Sequence, residues 1–293
     1  MGDGAFSFNK IGTGRLILSF DLEQKDVINY YIKIIKELFG LIPVISKKEN
    51  DNSINLYYNS TTLCYWLKNL GVNKRSALSA IVPEIVFNTN QEFAKGFIRG
   101  LFTADGTVNK EGYSSLTSIS EKLINDLQIL LLSLGIPTKK LINKHRETSF
   151  GKNILYILNV ITEDGIKKFN KEIKFLSEKK NSRLDQKVKS FEYNDVIPNQ
   201  RTRLSALYNY VGKGCSKEKK SKGAERSFYR AIQHYISESS GKRNLSRISL
   251  KKLSERFNQI KESELMWFLT NNQFYDQVQF IEFGETWTVD LSV

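Results

Sequence analysis

The sequence predicts an α+β fold made by duplication. Three observations carry this: a strand–helix order that occurs twice, one dense apolar helix between the two copies, and a composition that is globular yet strongly basic. In the first copy residues 15–20 alternate as a strand does, and Val27, Ile28, Tyr31, Ile34, Ile35 and Leu38 then fall at the spacing of one helical face. Gly40 and Pro43 end that helix. Two strand-like runs at 44–48 and 54–59 and a short helix at 61–70 follow. The second copy repeats the order: a strand at 113–119, and a helix carrying Leu123, Ile124, Leu127, Leu130, Leu131 and Leu134. After a stop at Gly135 and Pro137 come strands at 138–146 and 154–161 and a helix at 163–175. Such a duplication implies two pseudo-symmetric halves packed together.

Composition narrows the function classes. At 293 residues the chain is about twice the usual domain length. Hydrophobic residues make up 40% and charged residues 26%, a globular balance unlike that of a disordered basic tail. Lys plus Arg number 44 against 31 Asp plus Glu, a net charge of +13 that calls for an anionic partner, nucleic acid first. No apolar run is long enough to cross a bilayer, and the start carries no signal-peptide pattern. Cys64 and Cys215 are too few for a disulfide framework and lie in no zinc-type cluster. A soluble, cytoplasmic protein is therefore expected.

Between the copies, residues 93–104 form the densest apolar helix, with Asn90 as N-cap and Glu92 in its first turn. Gly96, Gly100 and Ala104 recur every four residues on one face. Glycine costs about 1 kcal/mol in a helix interior, so the stripe predicts close backbone approach to another helix. The helix ends in Asp105-Gly106, and the first copy has its own acid upstream of its strand, in Gly2-Asp3-Gly4. An isolated Asp-Gly reads as a turn. Two acids related by a repeat repel each other at the midline and call for a hard divalent ion. Paired acids, metal and a basic surface fit phosphodiester hydrolysis.

At these residues the chain resembles a known family. Ile98-Arg-Gly-Leu-Phe-Thr-Ala-Asp-Gly106 is similar to the second nonapeptide motif of the LAGLIDADG (DOD-type) homing endonucleases, and Met1-Gly-Asp-Gly4 looks like the end of the first. The resemblance implies duplicated αββαββα halves, two antiparallel sheets forming a saddle over DNA, and a monomer with pseudo-two-fold halves. It further implies Asp3 and Asp105 as catalytic acids holding Mg²⁺, with the carbonyls of Gly2 and Ala104 as additional metal ligands, and a staggered cut in double-stranded DNA at a long site. Thr103 stands where the family often carries an acid. The first motif lacks everything before Met1, so the helix expected to pack on Gly96 and Gly100 is missing. The family's catalytic lysines find no firm match; Lys140 and Lys144 are candidates.

The tail, residues 278–293, is similar to the penultimate conserved block of inteins, and Asp290 matches the acid that assists the splicing nucleophile there. The splicing blocks at either end are absent, so the chain reads as the inner part of a larger intein, one that does not splice as written, with host-protein exteins as partners of the full precursor. The expected domains are an endonuclease at 1–185 (halves about 1–90 and 91–185), a linker or insert at 186–262 with a basic loop at 211–226, and a mostly β splicing-fold segment at 263–293.

Strand alternation supplies the DNA-facing candidates. Arg15 and Ser19 share one strand face, Asn55 and Tyr57 another, and Lys140, Lys144 and Arg146 a third. Arg and Asn read base edges, whereas Lys neutralises phosphate. His145 and His234 have no partners at ligand spacing and read as surface residues. The reading is an intein-embedded, Mg-dependent DNA endonuclease; its rivals are a maturase-like DNA- or RNA-binding module and an inactive remnant of a decayed element.

Overall fold

A computed structural model describes residues 2–47, 52–72, 76–110, 112–144, 153–184, 195–212, 224–236, 244–271, 273 and 275. The chain divides into two compact units, residues 1–191 and 192–293. The first opens with β1 (Gly4–Phe8), β2 (Gly14–Asp21), α1 (Lys25–Phe39), β3 (Val44–Lys47), β4 (Ser53–Asn59), α2 (Thr61–Asn69) and the single turn α3 (Glu84–Phe87). It continues with α4 (Gln91–Asp105), β5 (Gly106–Val108), β6 (Ser114–Ser118), α5 (Glu121–Ser133), β7 (Thr138–Asn143), β8 (Leu155–Val160) and α6 (Glu163–Lys168). A π-helical turn at Phe169–Ile173 leads to α7 (Glu178–Leu184).

The duplication is present in the sheets. Each half holds a four-stranded antiparallel sheet, in the orders β1-β2-β4-β3 and β5-β6-β8-β7. The second half is a complete αββαββα run from α4 to α6, while the first enters its sheet at β1. The hairpin turns match as well. Asn9 accepts from the backbone of Ile11 and Thr13 and leads to Gly12 at φ 84°; Asn109 accepts from the backbone of Tyr113 and leads to Gly112 at φ 82°. Both turns thus combine an Asn side chain that mimics a backbone turn with a glycine that tolerates positive φ.

Local signals explain the helices. Asn90 accepts from Phe93 N–H at 2.9 Å and starts α4, and Ser120 accepts from Leu123 N–H at 3.2 Å and starts α5. Ser120 also donates to the buried Ala80 carbonyl at 2.6 Å. Gly40, at φ 67°, closes α1 in the left-handed conformation. The core of the second half gathers Ile98, Leu101 and Phe102 of α4 with the α5 leucines and with Phe169 and Phe175. In the first half a smaller core forms around Leu16, Ile35, Leu56, Tyr58 and Cys64. Cys64 is fully buried on α2, and burial pushes its thiol up. Among the described residues no helix is long and apolar enough to cross a membrane.

The second unit is mainly helical. A two-stranded ladder of β9 (Val196–Ile197) and β10 (Leu245–Ser246) accompanies α8 (Arg201–Gly212), α9 (Ala224–Ile236) and α10 (Arg247–Arg256). Its core includes Leu204, Phe228, Ile232, Leu250, Leu265 and Phe268. Across the expected boundary at 262/263, Leu265 and Phe268 share a core with Leu250, because the helical turn at Trp267–Thr270 packs on α10. Of the expected linker or insert at 186–262, the described residues supply Ile197, Leu204, Phe228, Ile232, Leu245, Leu250, Leu253, Phe257 and Ile260 to this core. Residues 276–293, with Asp290, lie outside the described residues, as does most of the basic loop.

Candidate active site

The helix α4 delivers one acid at its last position. Gly106 follows without positive φ, yet a Cβ there would lie 2.4 Å from the Phe102 carbonyl, so the Asp-Gly order is a steric requirement of this exit. The other acid arrives along β1, where Ser19 N–H donates to the Asp3 carbonyl at 3.2 Å and extends the β1–β2 ladder. Gly2 lies directly against α4: a Cβ on it would sit 2.2 Å from the Ala104 Cβ and 3.5 Å from a carboxylate oxygen of Asp105. The fold therefore brings Gly2-Asp3 beside Ala104-Asp105, and both carboxylate residues are exposed.

Lys180, which sequence reading passed over, stands beside this pair. It extends from α7 and donates from Nζ to the carbonyls of Thr103 at 2.6 Å and Gly106 at 2.7 Å, bracketing Asp105. Burial lowers its ammonium below the ordinary lysine value of 10.5, while the charges of Asp105 and Asp3 pull it back up. Nothing local marks Lys180 in the run Glu178-Lys179-Lys180; its role is visible only once α7 packs beside the end of α4. Thr103, 3% exposed, donates to the Arg99 carbonyl at 2.7 Å and accepts from Leu176 N–H at 2.9 Å.

The stripe on α4 departs from expectation over most of its length. Only Ala104 is closely approached; Gly100 has the Tyr31 hydroxyl 3.6 Å from the position of a Cβ, and Gly96 has nothing within 4 Å among the described residues. The stripe instead opens into a cavity of about 240 Å³ that Asp3, Val27, Tyr31, Phe97 and Leu101 help to line.

The polar sheet faces continue from the acids. In the first sheet Arg15, Ile17 and Ser19 pair with Asn59, Tyr57 and Asn55, so all six share the face opposite the core. Arg15 Nε donates to Asn59 Oδ1 at 2.7 Å and its guanidinium lies 5.4 Å from the centre of the Tyr57 ring. Ser19 donates to Asn55 Oδ1 at 2.7 Å, and Asn55, 8% exposed, donates to Tyr57 Oη at 3.2 Å. In the second sheet the parity of β7 differs from expectation. Lys140 pairs with the fully buried Leu158, lies on the side covered by α5, and binds Glu121 at 3.1 Å and Asn125 at 2.8 Å. The face opposite the core carries Thr107, Ser115, Thr117, Lys139 and Asn159 instead. Lys144 is exposed just beyond β7, and Arg146 and His145 lie outside the described residues.

A hard cation fits the donors present: two carboxylates and neighbouring backbone carbonyls, all oxygen. Among the described residues there is no group of three or more His, Cys, Asp or Glu that could hold a metal. A metal at the acid pair would therefore complete its shell with carbonyls, water and substrate oxygens.

Residues 92–174 match the family model described as a LAGLIDADG-like domain. The chain is 33% identical over 163 residues to DNA-directed RNA polymerase subunit Rpo1C of Methanocaldococcus jannaschii, a match covering 53% of this chain and 17% of that protein. It is 31% identical over 188 residues to a DNA polymerase of Thermococcus kodakarensis, covering 62% and 10%. It is 35% identical over 112 residues to ribonucleoside-diphosphate reductase NrdEB subunit alpha of Bacillus subtilis, covering 36% and 10%. The chain thus spans less than a fifth of each of these relatives. Among solved structures it is similar to mesophilic variants of the homing endonuclease I-DmoI, at 20% identity and a TM-score of 0.44, covering 59% of this chain and 89% of that one.

Proposed function

We propose that the first unit is the DNA-cleaving part of an intein-borne homing endonuclease, with Asp3 and Asp105 as its metal-binding catalytic acids. The observation that carries this reading is the seating of Gly2-Asp3 against Ala104-Asp105 with Lys180 bracketing the second acid. Carboxylates brought to neighbouring positions in this way are the donors a hard divalent cation takes. When bound, Mg²⁺ supplies Lewis-acid chemistry, activating water and stabilising the leaving oxygen of a phosphodiester. The chain's own residues do the rest. Asp3 and Asp105 would hold the metal, with the carbonyls of Gly2 and Ala104. Lys180 holds a positive charge at the centre, where charge develops on the phosphate.

The polar sheet faces serve as the DNA reader. Arg15, Ser19, Asn55 and Tyr57 act in the first half, and Thr107, Thr117, Lys139 and Asn159 in the second, with Lys144 and Arg146 adding phosphate contacts. The intein setting draws support from the relatives. They are by name an RNA polymerase subunit, a DNA polymerase and a reductase subunit, and each shares with this chain 10–17% of its length. A common piece in proteins of such unlike chemistry is what an inserted element leaves behind. In that setting Asp290 assists splicing of the full precursor, whose exteins are the host protein.

The test is cleavage of a supercoiled plasmid pool carrying randomised sites, incubated with the full chain and Mg²⁺, with the broken ends sequenced. Staggered breaks are expected, lost with a chelator. Asp105→Asn is expected to lower cutting on the order of 10³-fold, because the metal's contribution is several kcal/mol, while DNA binding stays. Undiminished cutting by that variant would remove Asp105 from the mechanism, and binding without cutting by the parent chain would favour a binding module.

A further inference from the structure

Lys180 sits on a helix of only seven residues, so its placement needs a cause. The chain leaves the π-helical turn through Lys174, whose φ of 58° with ψ of −176° is a strained conformation for a residue with a side chain. Phe175 and Asn181 exchange two hydrogen bonds that tie this segment to α7 itself, and two further hydrogen bonds tie it to the rest of the unit. Leu176 N–H donates to the buried Thr103 hydroxyl, inside the second half. Glu178 N–H, at the first position of α7, donates at 2.6 Å to Oδ2 of Asp26, which belongs to the first turn of α1 in the other half. The other oxygen of Asp26 accepts from its own Val27 N–H at 2.9 Å, so the carboxylate bridges two helix starts. A neighbouring ion pair, Lys179 with Glu23 at 2.9 Å, crosses the same junction but is 70% and 64% exposed, and such pairs contribute little. The two halves meet here around a cavity of about 180 Å³, with Asp21, Glu23 and Asp26 on one wall and Lys179, Lys180 and Arg183 on the other.

We infer that Asp26 and Thr103 are positioning residues for Lys180, and that Asp26 makes the delivery of its ammonium depend on the packing of the first half against the second. Neither touches DNA or metal; they act by holding α7. The inference rests on the reading of Asp3, Asp105 and Lys180 as one site, and it gives that site a device for coupling the halves: loosening of α1 releases the charge beside Asp105.

The test follows lysine accessibility in the full chain, by brief acetylation with acetic anhydride and mass spectrometry of each modified lysine. Lys95, whose side chain is 15% exposed and held by Glu92 and Glu172, serves as internal reference. Asp26→Ala and Thr103→Val are each expected to raise acetylation of Lys180 about tenfold relative to Lys95, the scale of one lost hydrogen bond in a protected position. Thr103→Ser keeps the hydroxyl and is expected to retain parental protection. Parallel rises at Lys180 and Lys95 would mean general loosening and overturn the inference, as would unchanged protection in both variants. Because acetylation does not require cleavage, the two readings fail separately. A parent chain that never cuts counts against the nuclease, while its Lys180 response still decides the coupling. In a chain that cuts, Thr103→Val is expected to lower kcat with little change in KM, and Thr103→Ser to restore it.

Discussion

The two halves of the first unit share a strand order, a hairpin turn and an acid, yet they differ in how much they bury. Among the described residues the second half's core comprises 23 buried apolar side chains and the first half's comprises eight. The first half leaves Leu38, Ile42, Val44, Ile45 and Trp66 about half exposed or more. The difference lies in α4. It brings Ile98, Leu101 and Phe102 onto the second sheet, and Phe102 stacks 5.0 Å from Phe169 and 6.4 Å from Phe175. On its other side the glycine face of α4 opens onto a cavity beside α1. The first core draws on α1 and α2 through Ile28, Ile35, Leu63 and Cys64, whereas the second draws on α4, the α5 leucines and the residues after α6. Stability is thus expected to be uneven, with the first half the lower-energy unit to open.

The sharpest way to break this contrast is at the aromatic cluster. Phe102→Ala is expected to cost about 3–5 kcal/mol in urea melting, with amide exchange accelerated through β5–β8. The same experiment on Leu16→Ala is expected to cost about 2–3 kcal/mol and to accelerate exchange in the first sheet alone. A smaller contrast lies in the caps. Ser120 caps α5 and also satisfies the buried Ala80 carbonyl, whereas Gln24 at the start of α1 makes no side-chain cap. Ser120→Ala is expected to lower stability by about 1.5–3 kcal/mol in thermal melts, and Gln24→Ala to leave it within about 0.5 kcal/mol. An effect of opposite sign is expected at Tyr58, whose buried hydroxyl has no hydrogen-bond partner among the described residues and is pushed up to about 12 by burial. Tyr58→Phe is expected to stabilise the first half by about 1 kcal/mol, read by the same urea melts; a loss of stability would mean that the hydroxyl has a partner.

Periodicity made the helices legible. All six apolar positions expected on α5 are buried, because a 3.6-residue stripe and a Gly-Pro stop leave one solution. On α1 the same stripe overreached: Leu38 is 68% exposed, since the first half offers too little core to cover it. Alternation located Arg15, Ser19, Asn55 and Tyr57 on one face, since Leu16, Leu18, Phe20, Ile54, Leu56 and Tyr58 beside them belong to or pack against the core. It failed on β7, where Lys139-Lys140-Leu141-Ile142 does not alternate and pairing with β8 alone sets the parity. A stronger repeat signal lies in the turns: Asn9-Lys10 with Gly12, and Asn109-Lys110 with Gly112, mark the same turn in both halves. Lys180 and Asp26 had no local signal. The link between them is a tertiary contact, from Asp26 to Glu178 across 152 residues of sequence.

The buried thiol of Cys64 turns the weaker half into its own clock. Gly14 presses on it so closely that a Cβ there would lie 2.9 Å from the cysteine's Cβ, and Leu56 and Tyr58 belong to the same core. An aqueous thiol reagent therefore reaches the sulfur only when that core parts. With Cys215 replaced by serine, the rate of labelling becomes a stopwatch for the opening of the first half, and target DNA can be tried as the hand that stops it.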